Sequence, residues 1–258
     1  MKFFKDLYVY RELLKTSVKK DIGGKYKHSF LGVVWSFINP LLQILVYWIV
    51  FDKILHTSTK ENYVVYLCCG LIPWQFFAAV VNRGAATIIE NGSILKKVYF
   101  PREIFPISLV ASETVNFMIA TIMILVFVIA GGITLTWNVL WYIPILLVQF
   151  ILSIGIAFIV SSISVYVRDL IHILGILVQL MFYATPIVYA LDQVPEKFAW
   201  VAKLNPMAYL IENYRNIFYE GRMPNFEYLG IALAMGLGLC FIGYFIFKQL
   251  EKRFAEEL

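Results

Sequence analysis

The side chains able to do chemistry in this sequence are polar, mostly uncharged, and set inside apolar stretches. Trp35, Asn39, Gln43 and Tyr47 recur every four residues, so on a helix they share one slowly drifting face. His172, Gly175, Gln179, Phe182 with Tyr183, and Pro186 repeat that pattern further along. Amides both donate to and accept from hydroxyls, and ring faces pack against the apolar faces of sugars. Such a face either lines a path for a neutral, hydroxyl-rich ligand or glues helices together by hydrogen bonds. Ionisable groups near the apolar stretches are few. Glu113 and His172 both fall toward the cytoplasmic ends of their segments, which argues against coupling to an ion carried across mid-membrane.

Other chemistries find no support. The sequence has no G-x-x-x-x-G-K-[ST] loop to cradle nucleotide phosphates, no H-E-x-x-H and no G-x-S-x-G. Cys68, Cys69 and Cys240 fit neither a zinc site nor a disulfide framework. The basic N-terminal segment abuts an apolar run, so it is no nucleic-acid signature.

These residues need elements to hold them, and the composition says which. Hydrophobic residues make up 60% of the 258 and charged residues 15%, beyond what a water-soluble fold buries. Backbone amides in lipid must bond internally, and the runs are continuous, not alternating, so the elements are helices. A core about 30 Å thick needs about 20 apolar residues. The expected spans are 31–55, 63–82, 104–130, 140–166, 170–191 and 228–248, with Gly131-Gly132 and the polar residues Thr134, Thr136 and Asn138 breaking the long uncharged run between Thr114 and Val167. Sixteen of the 22 Lys and Arg residues fall on the side holding both termini, which the positive-inside rule makes cytoplasmic. The fold expected is therefore an all-α integral membrane protein of six transmembrane helices, both termini inside, in a single domain. The first apolar run is too long for a signal peptide and is read as a retained span.

Three segments should not span. Residues 3–18, within the cytoplasmic stretch 1–30, place Phe3, Leu7, Tyr10 and Leu14 on one face and basic residues elsewhere, as a helix lying in the cytoplasmic interface does. The loop 83–103 carries Ile88, Ile89, Ile94, Leu95, Val98, Tyr99 and Phe100, with an Asn91-Gly92 turn and Ser93 as an N-cap. Apolar residues on a cytoplasmic loop need a cover, either a partner protein or the interface itself. On the outer side, 192–227 holds a helix begun by Asn205 as N-cap and Pro206 at the first position, and ended by Gly221 and Pro224. It would lie at the membrane surface, either as a lid over a pathway or as a passive interfacial helix. The small residues Gly230, Ala234 and Gly238, and Ser153, Ala157 and Ser161, offer faces for close helix packing.

Five stretches, in order along nearly the whole chain, resemble the ABC-2 type permeases that export bacterial cell-surface polysaccharides and teichoic acids. They are the run Lys25 to Pro40, the run Gly70 to Gln75 continuing through Asn91-Gly92-Ser93 to Arg102, Tyr166 to Leu170, Tyr183 to Tyr189, and Leu204 to Met207 continuing to Glu212 and Arg215. The resemblance implies a homodimer in the bacterial inner membrane, paired with two copies of a cytoplasmic P-loop ATPase. This chain would bind no cofactor of its own, with ATP and magnesium held on the partner. Ile88, Ile89, Glu90, Asn91, Leu95, Lys96 and Lys97 would form the coupling element, with Arg168-Asp169 a second ATPase contact and the N-terminal helix a third. Trp35, Asn39, Gln43, Tyr47, Gln179, Phe182, Tyr183 and Tyr189 would line the path of a lipid-linked glycan. The short helices between spans five and six, with Asn205, Pro206, Tyr214 and Arg215, would be a re-entrant outer gate.

Overall fold

A computed structural model describes residues 8–26, 32–56, 60–96 and 100–257, and every regular element among them is helical. The helices are α1 (Arg11–Tyr26), α2 (Trp35–Tyr47, continuing as a π-helical stretch Trp48–Ile54), α3 (Tyr63–Glu90) and α4 (Gly92–Leu95). After these come α5 (Ile104–Ala130), α6 (Tyr142–Tyr166), α7 (Leu170–Ala184), α8 (Ala199–Lys203), α9 (Pro206–Phe218), α10 (Phe226–Leu250) and α11 (Phe254–Glu257).

Among the described residues, five helical stretches are long and apolar enough to cross a membrane: Trp35–Ile54, Tyr63–Glu90, Ile104–Ala130, Trp137–Tyr166 and Phe226–Arg253. The remaining expected span, 170–191, is helical only over the 15 residues of α7. That length rises about 22 Å, short of a bilayer core. Pro186 is the cause. Its ring pushes the preceding residue out of the helical region, and Thr185 sits extended at φ −96° and ψ 135°.

The irregular backbone after α7 is buried, so its carbonyls need partners. Side chains supply them. Arg215 Nη2 donates to Ile187 O at 2.8 Å, Tyr63 Oη to Val188 O at 2.5 Å and Tyr66 Oη to Tyr189 O at 3.1 Å. A broken helix is thus held in place by α3 and α9.

The helix of the expected span 63–82 continues into the expected loop 83–103. α3 runs unbroken to Glu90, because nothing between Asn82 and Asn91 stops a helix. The expected cap at Ser93 is overturned. α4 begins at Gly92 after Asn91, and Ser93 lies inside it with no side-chain capping bond at the helix start.

The closest helix crossing is between α6 and α10. A Cβ on Gly155 would lie 2.5 Å from the Cys240 backbone nitrogen, and one on Gly243 would meet the Gly155 carbonyl oxygen. The packing face of α10 is therefore Gly236, Cys240 and Gly243, not Gly230, Ala234 and Gly238. Gly230 and Gly238 have no neighbour within 4 Å of a built Cβ. Gly155→Ala is expected to cost about 1–3 kcal/mol by overpacking, while Gly238→Ala is expected to be neutral or slightly stabilising. Thermal melts of the two purified variants in one detergent check this, and equal melting points would refute the assignment of the face.

Candidate functional site

Three regions carry the residues singled out in the sequence. The first is a cavity of about 440 Å³ between α2, α3 and α5. Trp35, Asn39 and Gln43 enter it from α2; Gln75 and Asn82 come from α3, and Glu113, Asn116 and Phe117 from α5. The amides form a ladder: Gln75 Nε2 donates to Gln43 Oε1 at 3.0 Å, and Gln43 Nε2 to Asn39 Oδ1 at 3.5 Å. At one end Arg83 pairs with Glu113, whose other oxygen accepts from Asn116 Nδ2 at 3.2 Å.

The expected α2 face does not stay together. Tyr47 leaves the cavity and stacks on Phe182 of α7, ring centroids 5.3 Å apart. The drift of a four-residue repeat on a helix of 3.6 residues per turn accounts for the divergence. Gln179 and Tyr183 are exposed, and Tyr189 donates its hydroxyl to Tyr183 O at 2.9 Å. These residues of α7 and the chain after it do not line the cavity. Sequence reasoning missed Gln75, Asn82 and Asn116. Gln75 and Asn82 are seven apart, a helical same-face spacing already contained in the expected span 63–82.

The second region is the cytoplasmic end. The cover sought for the apolar residues of 83–103 is the chain itself. Ile88 is 0% exposed, and Leu95 and Phe100 are buried, packed with Ile104, Phe105, Phe158 and Phe247. Ile94 remains exposed at 41%, Glu90 and Lys96 are exposed, and Ile89 is half-buried. Asn91 Nδ2 donates to Thr87 O at 2.8 Å, and Lys20 Nζ of α1 donates to Asn91 Oδ1 at 3.2 Å. Arg168 and Asp169 are exposed in the turn between α6 and α7. Lys97, Val98 and Tyr99 lie outside the described residues, as do Phe3 and Leu7.

Tyr10 and Leu14, the described part of the expected apolar face, pack with Leu13 against the cluster that holds Ile88, Leu95, Phe100 and Phe105, and α1 lies against α5. Burial there raises the pKa of the Asp21 carboxyl, with the Arg83 charge opposing the rise. Lys248 bridges Glu103 and Glu251, and Arg102 donates to the Glu251 carbonyl, so the foot of α10 is tied to the start of α5.

The third region is α9. Asn205 Oδ1 accepts from Met207 N at 3.0 Å, as an N-cap should, and Pro206 takes the first position. The helix does not lie on a surface, as its amphipathic pattern suggests. Its polar face is buried too, with Asn213 at 0%, Arg215 at 1% and Asn216 at 2%. Each is used. Asn213 Oδ1 accepts from Asn225 N at 2.7 Å, and Asn216 Oδ1 accepts from Arg222 Nε at 3.0 Å. Tyr214 Oη donates to Gln149 Oε1 at 2.8 Å, while Gln149 Nε2 donates to Pro73 O at 2.9 Å. Asn205 Nδ2 reaches Thr185 Oγ1 at 2.7 Å, joining the start of α9 to the break after α7. Among the described residues no group of three His, Cys, Asp or Glu side chains is placed to hold a metal.

The family model described as ABC-2 type transporter matches residues 12–219. The chain is 38% identical over 248 residues to the O-antigen export system permease protein RfbA of Klebsiella pneumoniae, covering 96% of this chain and 95% of that protein. It is 34% identical over 260 residues to the protein of the same name from Myxococcus xanthus, covering 100% of both chains. To the polysialic acid transport protein KpsM of Escherichia coli it is 23% identical over 248 residues, covering 90% of this chain and 91% of that one.

Proposed function

The chain belongs to the ABC-2 type transporter family, and on that premise we propose that it is the membrane subunit of an ATP-driven exporter of lipid-linked cell-surface polysaccharide. The observation that carries this reading is the end-to-end match to O-antigen export permeases at 34–38% identity. The lower identity of the polysialic acid protein favours an O-antigen-type glycan over a capsule polymer.

In this reading the protein sits in the bacterial inner membrane with both termini inside, and α7 with its irregular continuation serves as the sixth crossing. Two copies assemble with two P-loop ATPase subunits, which bind ATP and magnesium. ATP binding closes the ATPases, and the movement enters this chain through its cytoplasmic end. The shape of α3 supports that route. One rigid helix joins the amide cavity at Gln75 to Glu90 at the foot, so displacement of the foot moves the cavity wall. The α9 helix with Asn205, Pro206, Tyr214 and Arg215 acts as the outer gate. A polymer must slide, so many weak amide and ring contacts suit it better than buried charges.

Deletion of the gene is the test. Surface glycan should be lost and lipid-linked glycan should accumulate inside, with both restored by the intact gene. Normal surface glycan in the deletion strain would overturn the reading. The docking surface has its own expected result. Charge reversal at exposed Glu90, Lys96, Arg168 and Asp169 should weaken co-purification of the ATPase and leave the melting point unchanged. Ile88→Ala should instead lower stability by about 2–5 kcal/mol, because it opens a hole in a core. A mild Ile88→Ala that loses only the ATPase would place Ile88 on the docking surface.

A further inference from the structure

We propose that the C-terminal turn, Lys248 to Phe254, is a clamp that fastens the two segments facing the ATPase, 83–103 and 166–169, to each other, so that they answer a movement as one body. Lys248 and Phe254 are its positioning residues. The inference rests on the export reading for the movement that is transmitted, while the clamp itself is read from the contacts of the turn.

One side of the clamp is a rigid pair of helices. α6 and α10 cross so closely that Gly155 and Gly243 leave no room for a Cβ. At the end of that pair Tyr166 Oη, from α6, donates to Leu250 O of α10 at 2.8 Å. Phe254 folds back onto both helices. It is 0% exposed, and its ring meets Phe247 edge-on at 5.6 Å and Tyr166 at 6.3 Å. Tyr166 stands two residues before Arg168, so the turn is seated beside the junction of α6 and α7.

The other segment reaches the same turn. Arg102 donates to the Glu251 carbonyl, and its guanidinium carbon lies 5.8 Å from the centroid of the Phe254 ring. Glu103, 4% exposed, pairs with Lys248, which also holds Glu251 at 2.8 Å. Glu103 Oε2 has no hydrogen-bond partner among the described residues. The buried charge therefore leans on Lys248, and separating the two is costly. Filling the core needs only the ring of Phe254. The charged ties from Arg102 and Glu103 add a connection that packing does not require. A stroke that displaces 83–103 pulls on the foot of α10, and through the glycine crossing on α6 and the turn that follows it.

The test uses the complete transporter, purified with its ATPase in nanodiscs, and the same variants in cells that lack the chromosomal gene. Phe254→Ala and the double variant Lys248→Met with Glu103→Gln break the clamp. The double variant removes the buried charge together with its counter-charge, so the tie is lost without leaving an ion alone in the core. Lys248→Arg and Phe254→Leu are the conservative changes. The breaking variants should keep the ATPase at wild-type stoichiometry and hydrolyse ATP at close to the wild-type rate. Surface glycan per transporter in the membrane should fall by about 5-fold or more, the lower end of what lost coupling between two sites brings. The conservative variants should retain both activities. Surface glycan that tracks the amount of folded transporter, equal export by breaking and conservative variants, or hydrolysis lost in step with export would each overturn the clamp. If Phe254→Ala fails to assemble, the double variant decides, and failure of both would make the turn a folding element and overturn the clamp as well. Normal surface glycan in the gene deletion removes the export reading and the clamp with it. Loss of glycan there, with export by the breaking variants intact, removes the clamp alone.

Discussion

Arg215→Ala is expected to abolish export and to lower stability by about 3–5 kcal/mol, from a charged hydrogen bond of about 1.5–3 and a desolvated cation–π contact of about 2. The guanidinium is 1% exposed. It donates to Ile187 O at 2.8 Å and lies 3.6 Å from the centroid of the Tyr66 ring. Without it, the Ile187 carbonyl is buried with no donor, at the point where the helix has been broken by Pro186. The site is not ideal for a cation. Its Nε and Nη1 lack hydrogen-bond partners, and the Glu212 carboxylate approaches Nη1 only to 3.6 Å. Arg215→Met is therefore expected to keep more stability than Arg215→Ala, since it refills the volume with no charge to desolvate. Both should fail in export, because neither holds the 185–190 backbone against α9. Gly70→Ala should act in the same direction from the other side, its new Cβ lying 3.1 Å from Nη2. Melting points and surface-glycan staining of the three variants check this. An Arg215→Met protein that exports normally would show that the guanidinium is structural filling.

Much of this was legible in the sequence, and the failures share a cause. Apolar run length anticipated the five helical stretches that are long and apolar enough to cross a membrane, because lipid imposes a minimum length that composition records. The Asn205-Pro206 start of α9 was legible because capping is local chemistry. Whether α9 lies on a surface or inside the bundle was not. Its pattern is amphipathic in both cases, and burial of Asn213, Arg215 and Asn216 depends on partners contributed by residues 187, 222 and 225. The same limit applies to Ile88, Leu95 and Phe100. Their need for a cover could be read; that Phe158 and Phe247, far along the chain, provide it could not. Tyr47 shows a subtler limit. A four-residue repeat names one face over two turns, and by the fourth residue the drift has carried the side chain to a different neighbour. Gln75 and Asn82 lay inside the expected span 63–82, and it took the packing of α2 and α5 against α3 to mark them as cavity lining.

The pairing of Arg83 with Glu113 makes the second large effect. Arg83→Ala is expected to cost up to about 3–5 kcal/mol, because it removes a counter-charge from the buried Glu113 carboxylate, which keeps its hydrogen bond from Asn116. The asymmetry of the pair sharpens the expectation. The Glu113 side chain is 3% exposed and that of Arg83 is 38% exposed, so Glu113→Gln, which leaves the cation free to turn to water, should cost much less. Reversal in the double variant Arg83→Glu with Glu113→Arg should recover part of the loss, though Asn116, which donates to Glu113, would face a cation instead of an anion. A double-mutant cycle on melting points isolates the pair from its neighbours. The functional readout separates packing from coupling. Arg83 stands two turns from Glu90 on one unbroken helix, and Glu113 borders the amide cavity. If the pair transmits movement of the foot to the cavity wall, Glu113→Gln should retain ATPase activity of the assembled complex while export falls. Export that tracks stability alone across the four corners of the cycle would reduce the pair to a structural tie.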